Sequence, residues 1–220
     1  MTSTANMEEE EAIKVAQLGR NHDLGFVADK MRRIREPHVA PINALADEIA
    51  DTYGLPRGHV PYVDPAQGGT NARVLVLLDN PSTKAEAGTG SGLLSLDNND
   101  ATAKNCRLAY KQFGVDWKHV VHWNVCPFPT ANQSNGSSMA SERQRGAEWT
   151  RAIFALCPRV DYVLLLGRAA EDGWRRAAID SNNLKVTEDV PHCSRRGLST
   201  SDSRSRFENA IRDLAAHLKA

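Results

Sequence analysis

The feature that most constrains the fold is a repeated alternation of short apolar runs with longer helical segments. Two runs, Arg73–Leu78 (RVLVLL) and Asp161–Leu166 (DYVLLL), are apolar after their first residue, as in parallel strands covered on both faces. Lys118–Trp123 and Leu184–Val190 complete four predicted strands. Because helices separate these strands, the crossovers should be right-handed. The sequence therefore predicts an α/β fold, a three-layer α/β/α sandwich around a central, mostly parallel four-stranded sheet.

Helical periodicity and end signals place helices before, between and after the strands. The predicted helices are Glu11–Gly19, Leu24–Arg35, Pro41–Tyr53, Asp100–Phe113, Glu142–Cys157, Ala169–Ile179 and Asp202–Leu218. The first three should form a helical N-terminal layer. A length of 220 residues suits one domain with a sizeable core, so we expect a single domain over 11–220, preceded by a disordered tail over 1–10.

The chain shows no sign of a membrane segment or a metal site. No apolar run reaches eighteen residues, and the N-terminus is polar and acidic, unlike a secretory signal. We therefore expect a soluble, cytoplasmic protein, nucleoid-associated if prokaryotic, with no membrane partner. Its four cysteines (Cys106, Cys126, Cys157 and Cys193) form no C-x-x-C pair, which argues against a metal, a cofactor or structural disulfides.

The overall charge hides an asymmetry between the two halves of the chain. Lys+Arg and Asp+Glu both number 27, whereas a nucleic-acid-binding protein usually carries a basic footprint. Residues 1–110 hold 11 basic and 15 acidic residues, a net of −4, and residues 111–220 hold 16 and 12, a net of +4. Any DNA contact is therefore expected from the second half.

Three polar side chains follow predicted strands at the edge where parallel sheets bind ligands. Asn80 follows the first strand, Asn124 the second and His192 the fourth. Two amides and an imidazole contain no activated nucleophile, but they can orient a water, read an amide-like heterocycle and stabilise an anionic leaving group. This set of groups favours dissociative hydrolysis over acyl transfer.

Four motifs in consistent order over roughly 70–215 resemble those of the uracil-DNA glycosylase superfamily. They are LLDNPST (Leu77–Thr83), HWNVCPFP (His122–Pro129), VDYVLLLGRAAEDGW (Val160–Trp174) and HCSRRGLS (His192–Ser199). The resemblance implies a monomeric, cofactor-free enzyme that flips uracil or a related deaminated base out of DNA and hydrolyses its glycosidic bond.

The resemblance also implies roles for particular residues. Asn80 would position the attacking water, and His192 would stabilise the negative charge on the departing base. Asn124 would hydrogen-bond the edge of the flipped base. The other implied substrate-binding residues are Asp79, Pro81, Ser82, Leu94 and Phe128. The implied DNA-binding residues are Ser194, Arg195, Arg196, Gly197, Leu198 and Arg204. Among these, Arg195 and Arg196 would meet phosphates, Leu198 would wedge into the base stack, and Gly197 would allow close approach to DNA.

Four features depart from the superfamily pattern. Cys193 stands where many members carry Pro after the motif His, and the wedge Leu is displaced by two arginines. Gly92–Ser95 offers only aliphatic carbon where an aromatic ring usually stacks on the base, so Phe128 or Trp123 would have to supply the stacking. Ser82 occupies the position of a Tyr that excludes thymine, which predicts tolerance of larger bases.

Two other functions are compatible with the sequence. One is a non-catalytic DNA-binding or uracil-binding module on the same fold. The other is a small-molecule hydrolase in which Cys126 or Cys193 acts with His192, which requires a thiol of lowered pKa and a group that orients the imidazole.

Overall fold

The structure, a computed structural model, describes residues 19–82, 85–88, 90–130 and 137–220. The predicted tail over 1–10 and the predicted helix Glu11–Gly19, except for Gly19 itself, lie outside the described residues.

Helices and strands alternate through most of the described chain. In chain order they are α1 (Leu24–Arg33), α2 (Ala40–Thr52), β1 (Tyr62–Val63), β2 (Val74–Leu78), β3 (Leu93–Leu94), α3 (Ala101–Phe113), β4 (Val120–Asn124), α4 (Ala140–Leu156), β5 (Tyr162–Leu166), α5 (Arg168–Ala177), β6 (Lys185–Val190) and α6 (Ser201–Lys219). The predicted elements within the described residues are confirmed, with ends that differ by a few residues at most. Asp100 caps α3 by accepting the Ala103 N–H, and Gly114 ends it in the left-handed conformation at φ 73°.

The main sheet contains four parallel strands in the order β4-β2-β5-β6, which confirms the predicted α/β class. Tyr62–Val63 and Leu93–Leu94 form a second, two-stranded parallel sheet that the sequence did not predict. Each of these strands has two residues, too few to show the alternation by which a strand is recognised.

The main sheet is covered on both faces, as the uninterrupted apolar runs predicted. Leu75 and Leu77 point to a core that also contains residues of α2, α4 and α5, such as Ile42, Ile153 and Trp174. Side chains of the opposite parity, beginning with Val74 and Val76, join residues of α3 and α6 in a second core. The alternation of side chains along each strand therefore divides the interior into two layers.

Helix α1 is tied to the small sheet through a buried ammonium group. Lys30 Nζ lies 2.5 Å from Asp64 Oδ2 and 2.7 Å from Asp97 Oδ2, and it also donates to Ser95 Oγ at 3.2 Å. Lys30 is 3% exposed and Asp64 is fully buried.

Within the described ranges, no helix has both the length and the apolar character that a membrane span requires.

Candidate active site

The strand order creates a crevice at the carboxyl ends of the central strands. The chain passes from β2 to β4 on one side and then crosses to β5 on the other, so the connections leaving β2 and β5 diverge. Ligands of open α/β sheets bind at such a switch point. A cavity of about 480 Å³ lies at this edge, within the range of about 300–1,000 Å³ usual for small-molecule sites.

Most of the predicted site residues line this cavity. They are Asp79, Asn80, Pro81, Ser82, Leu94, Asn124, His192, Ser194 and Arg196. All four strands of the main sheet deliver residues to it, because Gly167 and Arg168 follow β5 there as well. The three polar groups predicted to converge, Asn80, Asn124 and His192, therefore share one cavity.

The His192 ring is held in a defined tautomer. The backbone N–H of Ser194 donates to His192 Nδ1 at 3.1 Å, so in the neutral ring the proton lies on Nε2. Burial lowers the pKa of His192 below its ordinary value, and the carboxylates of Asp79 and Asp100 act in the opposite direction. The site therefore contains a neutral imidazole whose Nε2–H is available as a hydrogen-bond donor.

Two glycines pack directly against His192. A Cβ built on Gly197 would lie 1.9 Å from the His192 carbonyl oxygen, and one built on Gly167 would lie 3.0 Å from His192 Cβ. Gly167 also has φ 94°, which L side chains rarely adopt. Only glycine fits at these two positions without displacing the histidine.

The two asparagines differ in how far their amides are engaged. Asn80 donates from Nδ2 to the carbonyl of Pro81 at 3.4 Å, a weak bond that leaves its Oδ1 free to accept from a water. The Asn124 side chain is 4% exposed and has no hydrogen-bond partner among the described residues. Its donor and acceptor are therefore both available to a ligand in the cavity.

Asp79 lines the cavity and also anchors the chain at its edge. Its carboxylate accepts from Ser137 Oγ at 2.6 Å, from the Ser138 backbone N–H at 3.1 Å and from Ser138 Oγ. These bonds fix the segment that leads into α4 at the sheet edge. The role of Asp79 in substrate binding stays a prediction.

Two apolar residues predicted for the site lie elsewhere. Phe128 is not part of the cavity lining, and its ring packs against Tyr53 with centroids 4.4 Å apart. Trp123, the other aromatic considered for stacking, does line the cavity. Leu198 is 7% exposed and joins Phe207 in the core beside α3 and α6. It is not exposed as a wedge, because a Leu198 N–H bond to the Ser194 carbonyl turns the loop back into the protein.

The remaining loop residues also separate into inward and outward groups. Gly197 was predicted to allow approach to DNA, but it packs inward on His192. Arg195 and Arg196 are exposed at the tip of the turn. Arg204 is exposed at the start of α6, and its Nε donates to the Leu198 carbonyl at 2.9 Å. The arginines, and not the leucine, are therefore the outward-facing part of this loop.

Several residues of the cavity lining were not selected from the sequence, among them Arg168, Asp100 and Cys106. Arg168 begins α5 directly after β5, so the strand-end rule that selected the other segments also applied to it. Asp100, which caps α3, faces the cavity, and its charge reaches His192. Cys106 lies on the inner face of α3 and carried no sequence signal beyond its helical position.

The cavity also contains a histidine that is already satisfied. His122 Nδ1 lies 2.9 Å from Gln67 Oε1, and Nε2 lies 3.1 Å from the hydroxyl of Tyr110. Because both ring nitrogens are bonded within the fold, His122 is structural. Within the part of the chain that the structure describes, no group of three or more His, Cys, Asp or Glu side chains could hold a metal ion.

Neither of the two thiols considered for the hydrolase, Cys126 or Cys193, provides an activated nucleophile for His192. Burial raises the pKa of Cys126 to about 12, and Cys126 does not line the cavity. The pKa of Cys193 is raised well above its usual value, first by its bond to Cys106. His192 Nδ1 accepts from the Ser194 backbone N–H, so it carries no proton that a carboxylate or an amide oxygen could accept to orient the ring. These observations disfavour the Cys/His hydrolase.

The side chains at the strand ends, His192, Asn80 and Asn124, are a neutral donor and two amides beside a partly apolar wall, and none of the three is a strong base or a reactive nucleophile. Such a set can bind a polar heterocycle and stabilise charge that develops on it. Neither the protein-family models nor the curated proteins compared with the sequence give a match.

Proposed function

We propose that this protein is a DNA glycosylase that hydrolyses the N-glycosidic bond of uracil or a related deaminated base flipped out of DNA. The observation that carries the proposal is the state of His192, a neutral ring with Nδ1 occupied and Nε2–H available, in one cavity with Asn80 and Asn124. An uncharged donor of this kind can bind a base oxygen in the substrate and bind it more strongly as negative charge grows there.

Asn80 would supply the water. Its amide cannot remove a proton efficiently, so the sugar would have to develop oxocarbenium character before the water attacks. The free Oδ1 of Asn80 would hold the water by accepting one of its hydrogens. The bond from C1′ to the base nitrogen would break with both electrons going to the base. The water oxygen would then form the new bond to C1′ and lose one proton, which ends on the base anion.

Asn124 would read the base. Its buried amide has one donor and one acceptor group without a protein partner among the described residues, which matches the donor and acceptor pair on the edge of uracil. A base with the wrong pattern would leave the amide unpaired, at a cost of about 1–3 kcal/mol. The exposed arginines Arg168, Arg195 and Arg196 beside the cavity and its loop would contact the phosphates.

The direct test is base excision on defined oligonucleotides. End-labelled strands with a single uracil, opposite G, opposite A or unpaired, are compared with hypoxanthine, xanthine and T:G substrates, and abasic sites are detected by alkali cleavage. We expect at least one substrate to be cleaved. Asn80→Ala and His192→Ala should each reduce its rate by about tenfold or more, a loss of about 1.4 kcal/mol of transition-state stabilisation.

Two matched variants test whether removal of any Asn or His side chain, and not only one in the cavity, lowers the rate. Asn182→Ala and His119→Ala remove exposed side chains far from the cavity lining and should leave the rate unchanged. If no substrate gives abasic product, the glycosylase proposal is wrong. Binding of the same oligonucleotides without cleavage would then favour the non-catalytic module.

A further inference from the structure

Two buried thiols face each other next to the catalytic candidate His192. Cys106 Sγ on α3 and Cys193 Sγ, in the residue that directly follows His192, lie 3.3 Å apart. Both residues are at most 1% exposed. The Cys193 carbonyl also accepts from Asn105 Nδ2 at 2.8 Å, so the two chain segments are held together on both sides of the sulfur pair.

The pair is distinguished from the other two cysteines by its position. Cys106 lines the cavity, so a small molecule that enters the cavity reaches its side of the pair. Cys126 and Cys157 do not line the cavity, and burial raises the pKa of each to about 12. Those two thiols should therefore stay protonated and unreactive.

The hydrogen bond between the two sulfurs gives them opposite characters. The bond that the two thiols share lowers the pKa of Cys106 and raises that of Cys193. Proximity of His122 lowers the pKa of Cys106 further. The cavity-facing sulfur is therefore the one with thiolate character, and its neighbour holds the proton.

We propose that Cys106 and Cys193 form a redox-modification site in the cavity wall, where a peroxide joins the two thiols in a disulfide. This site is independent of the proposed glycosylase activity. It adds a disulfide to a chain whose cysteine spacing argued against structural disulfides.

The reaction balances with hydrogen peroxide as the oxidant. The Cys106 thiolate attacks one peroxide oxygen, the O–O bond breaks, and Cys106 sulfenic acid and hydroxide result. The Cys193 sulfur then attacks the Cys106 sulfur, the S–O bond breaks, and water leaves with the Cys193 proton. Two thiols are oxidised by two electrons in total, and one peroxide is reduced to two waters.

Little movement is needed for the new bond. The sulfurs must approach from 3.3 Å to about 2.05 Å, which side-chain rotation and small backbone shifts can provide. The bond would join α3 covalently to the loop that begins at His192. Its formation should restrain the backbone of residues 193–198.

Intact-mass analysis and peptide mapping of the full chain test the proposal. The protein is treated with hydrogen peroxide, alkylated under denaturing conditions and digested with trypsin. We expect a mass lower by two hydrogen atoms before alkylation, a crosslink between the peptides 105–107 and 186–195, and reversal by a thiol reductant. Slower amide exchange over 193–198 in the oxidised protein is the second expected readout.

Variants separate this pair from the other cysteines. Cys106→Ser and Cys193→Ser should lose the crosslink, whereas Cys157→Ser should keep it. Because the peptide map of the unsubstituted chain is decisive by itself, a variant that fails to fold does not affect the test. Absence of the crosslink, or equal crosslinking of Cys126 or Cys157, would overturn the proposal and leave the glycosylase proposal unaffected.

Discussion

At the scale of single residues, the charge state of His192 results from opposing influences. Burial in the cavity wall disfavours the imidazolium and lowers the pKa, while the carboxylates of Asp79 and Asp100 favour it. Burial outweighs both carboxylates. As pH falls, the ring should therefore stay neutral below the ordinary His value of about 6.5, and the Nε2–H donor should persist without a positive charge.

This balance predicts the effect of removing one carboxylate. Asp100→Asn keeps a side chain that can cap α3 but removes a charge that raises the pKa of His192. The midpoint of the His192 ring in an NMR pH titration should lie below about 6.5 in the parent and should move lower in the variant.

Asp116→Asn is the matched control for this titration. Asp116 is an exposed carboxylate that caps the short turn before β4, and it should not affect His192. A parent midpoint at or above the ordinary value, or an upward movement in Asp100→Asn, would contradict the electrostatic description.

The sequence could predict the position of a site residue at the end of a strand, but not that of a site residue within a loop. Asn80 and Asn124 lie at strand ends, where topology fixes the edge they share, and both line the cavity. Leu198 lies six residues beyond His192 in a loop, where no periodicity indicates which side chains point inward. Phe128 was misplaced for the same reason, because the chain after β4 turns its ring toward Tyr53.

At the scale of elements, helix α1 depends on one buried ion pair. Asp64 also accepts from Ser95 Oγ and from the Ala66 backbone N–H, so its carboxylate is at the centre of the network that receives Lys30. Removing the lysine would leave a fully buried carboxylate without its cation. Such a loss typically costs about 3–5 kcal/mol.

Lys30→Met should therefore lower the free energy of unfolding by about 3–5 kcal/mol, measured by urea denaturation. Arg32→Met on the same helix removes a pair with Asp29 in which both side chains are more than half exposed, and it should cost at most about 1 kcal/mol. Equal losses of unfolding free energy in the two variants would show that the buried Lys30 pair stabilises the fold no more than the exposed Arg32 pair does.

The sequence predicted this helix but not its attachment. Leu24–Arg33 shows helical periodicity, and Asp23 caps it by accepting from the Gly25 and Phe26 amides. Its partners lie 34 to 67 residues further along the chain, on the small sheet and the loop after it. A buried lysine has no signature in a single sequence, since nearly all lysines are exposed.

At the scale of the whole molecule, the two cores share one sheet. Adjacent side chains of β2, such as Val76 and Leu77, belong to different cores. Loss of either helical layer would expose one apolar face of the same strands. We therefore expect the two cores to unfold together.

This expectation can be measured with probes that sample different layers. Trp123, Trp149 and Trp174 all belong to the core of α2, α4 and α5, and Trp117 packs against the other core. In a Trp117→Phe variant, tryptophan fluorescence reports on the first core, and far-ultraviolet circular dichroism also reports on α3 and α6. The two urea midpoints should coincide, and separate midpoints would show two independent units.

The packing of Gly167 and Gly197 on His192 also bears on how this molecule can change. Both glycines touch the histidine from neighbouring segments, and neither can accept a side chain without displacing it. The three nearby arginines, Arg168, Arg195 and Arg196, are exposed, and the path of the histidine backbone does not depend on their side chains. Under the proposed function, substitutions of these arginines would change how strongly DNA is bound and would leave the position of His192 unchanged. DNA binding and base excision could then vary independently, although fewer than five residues separate each arginine from a glycine or serine that contacts His192.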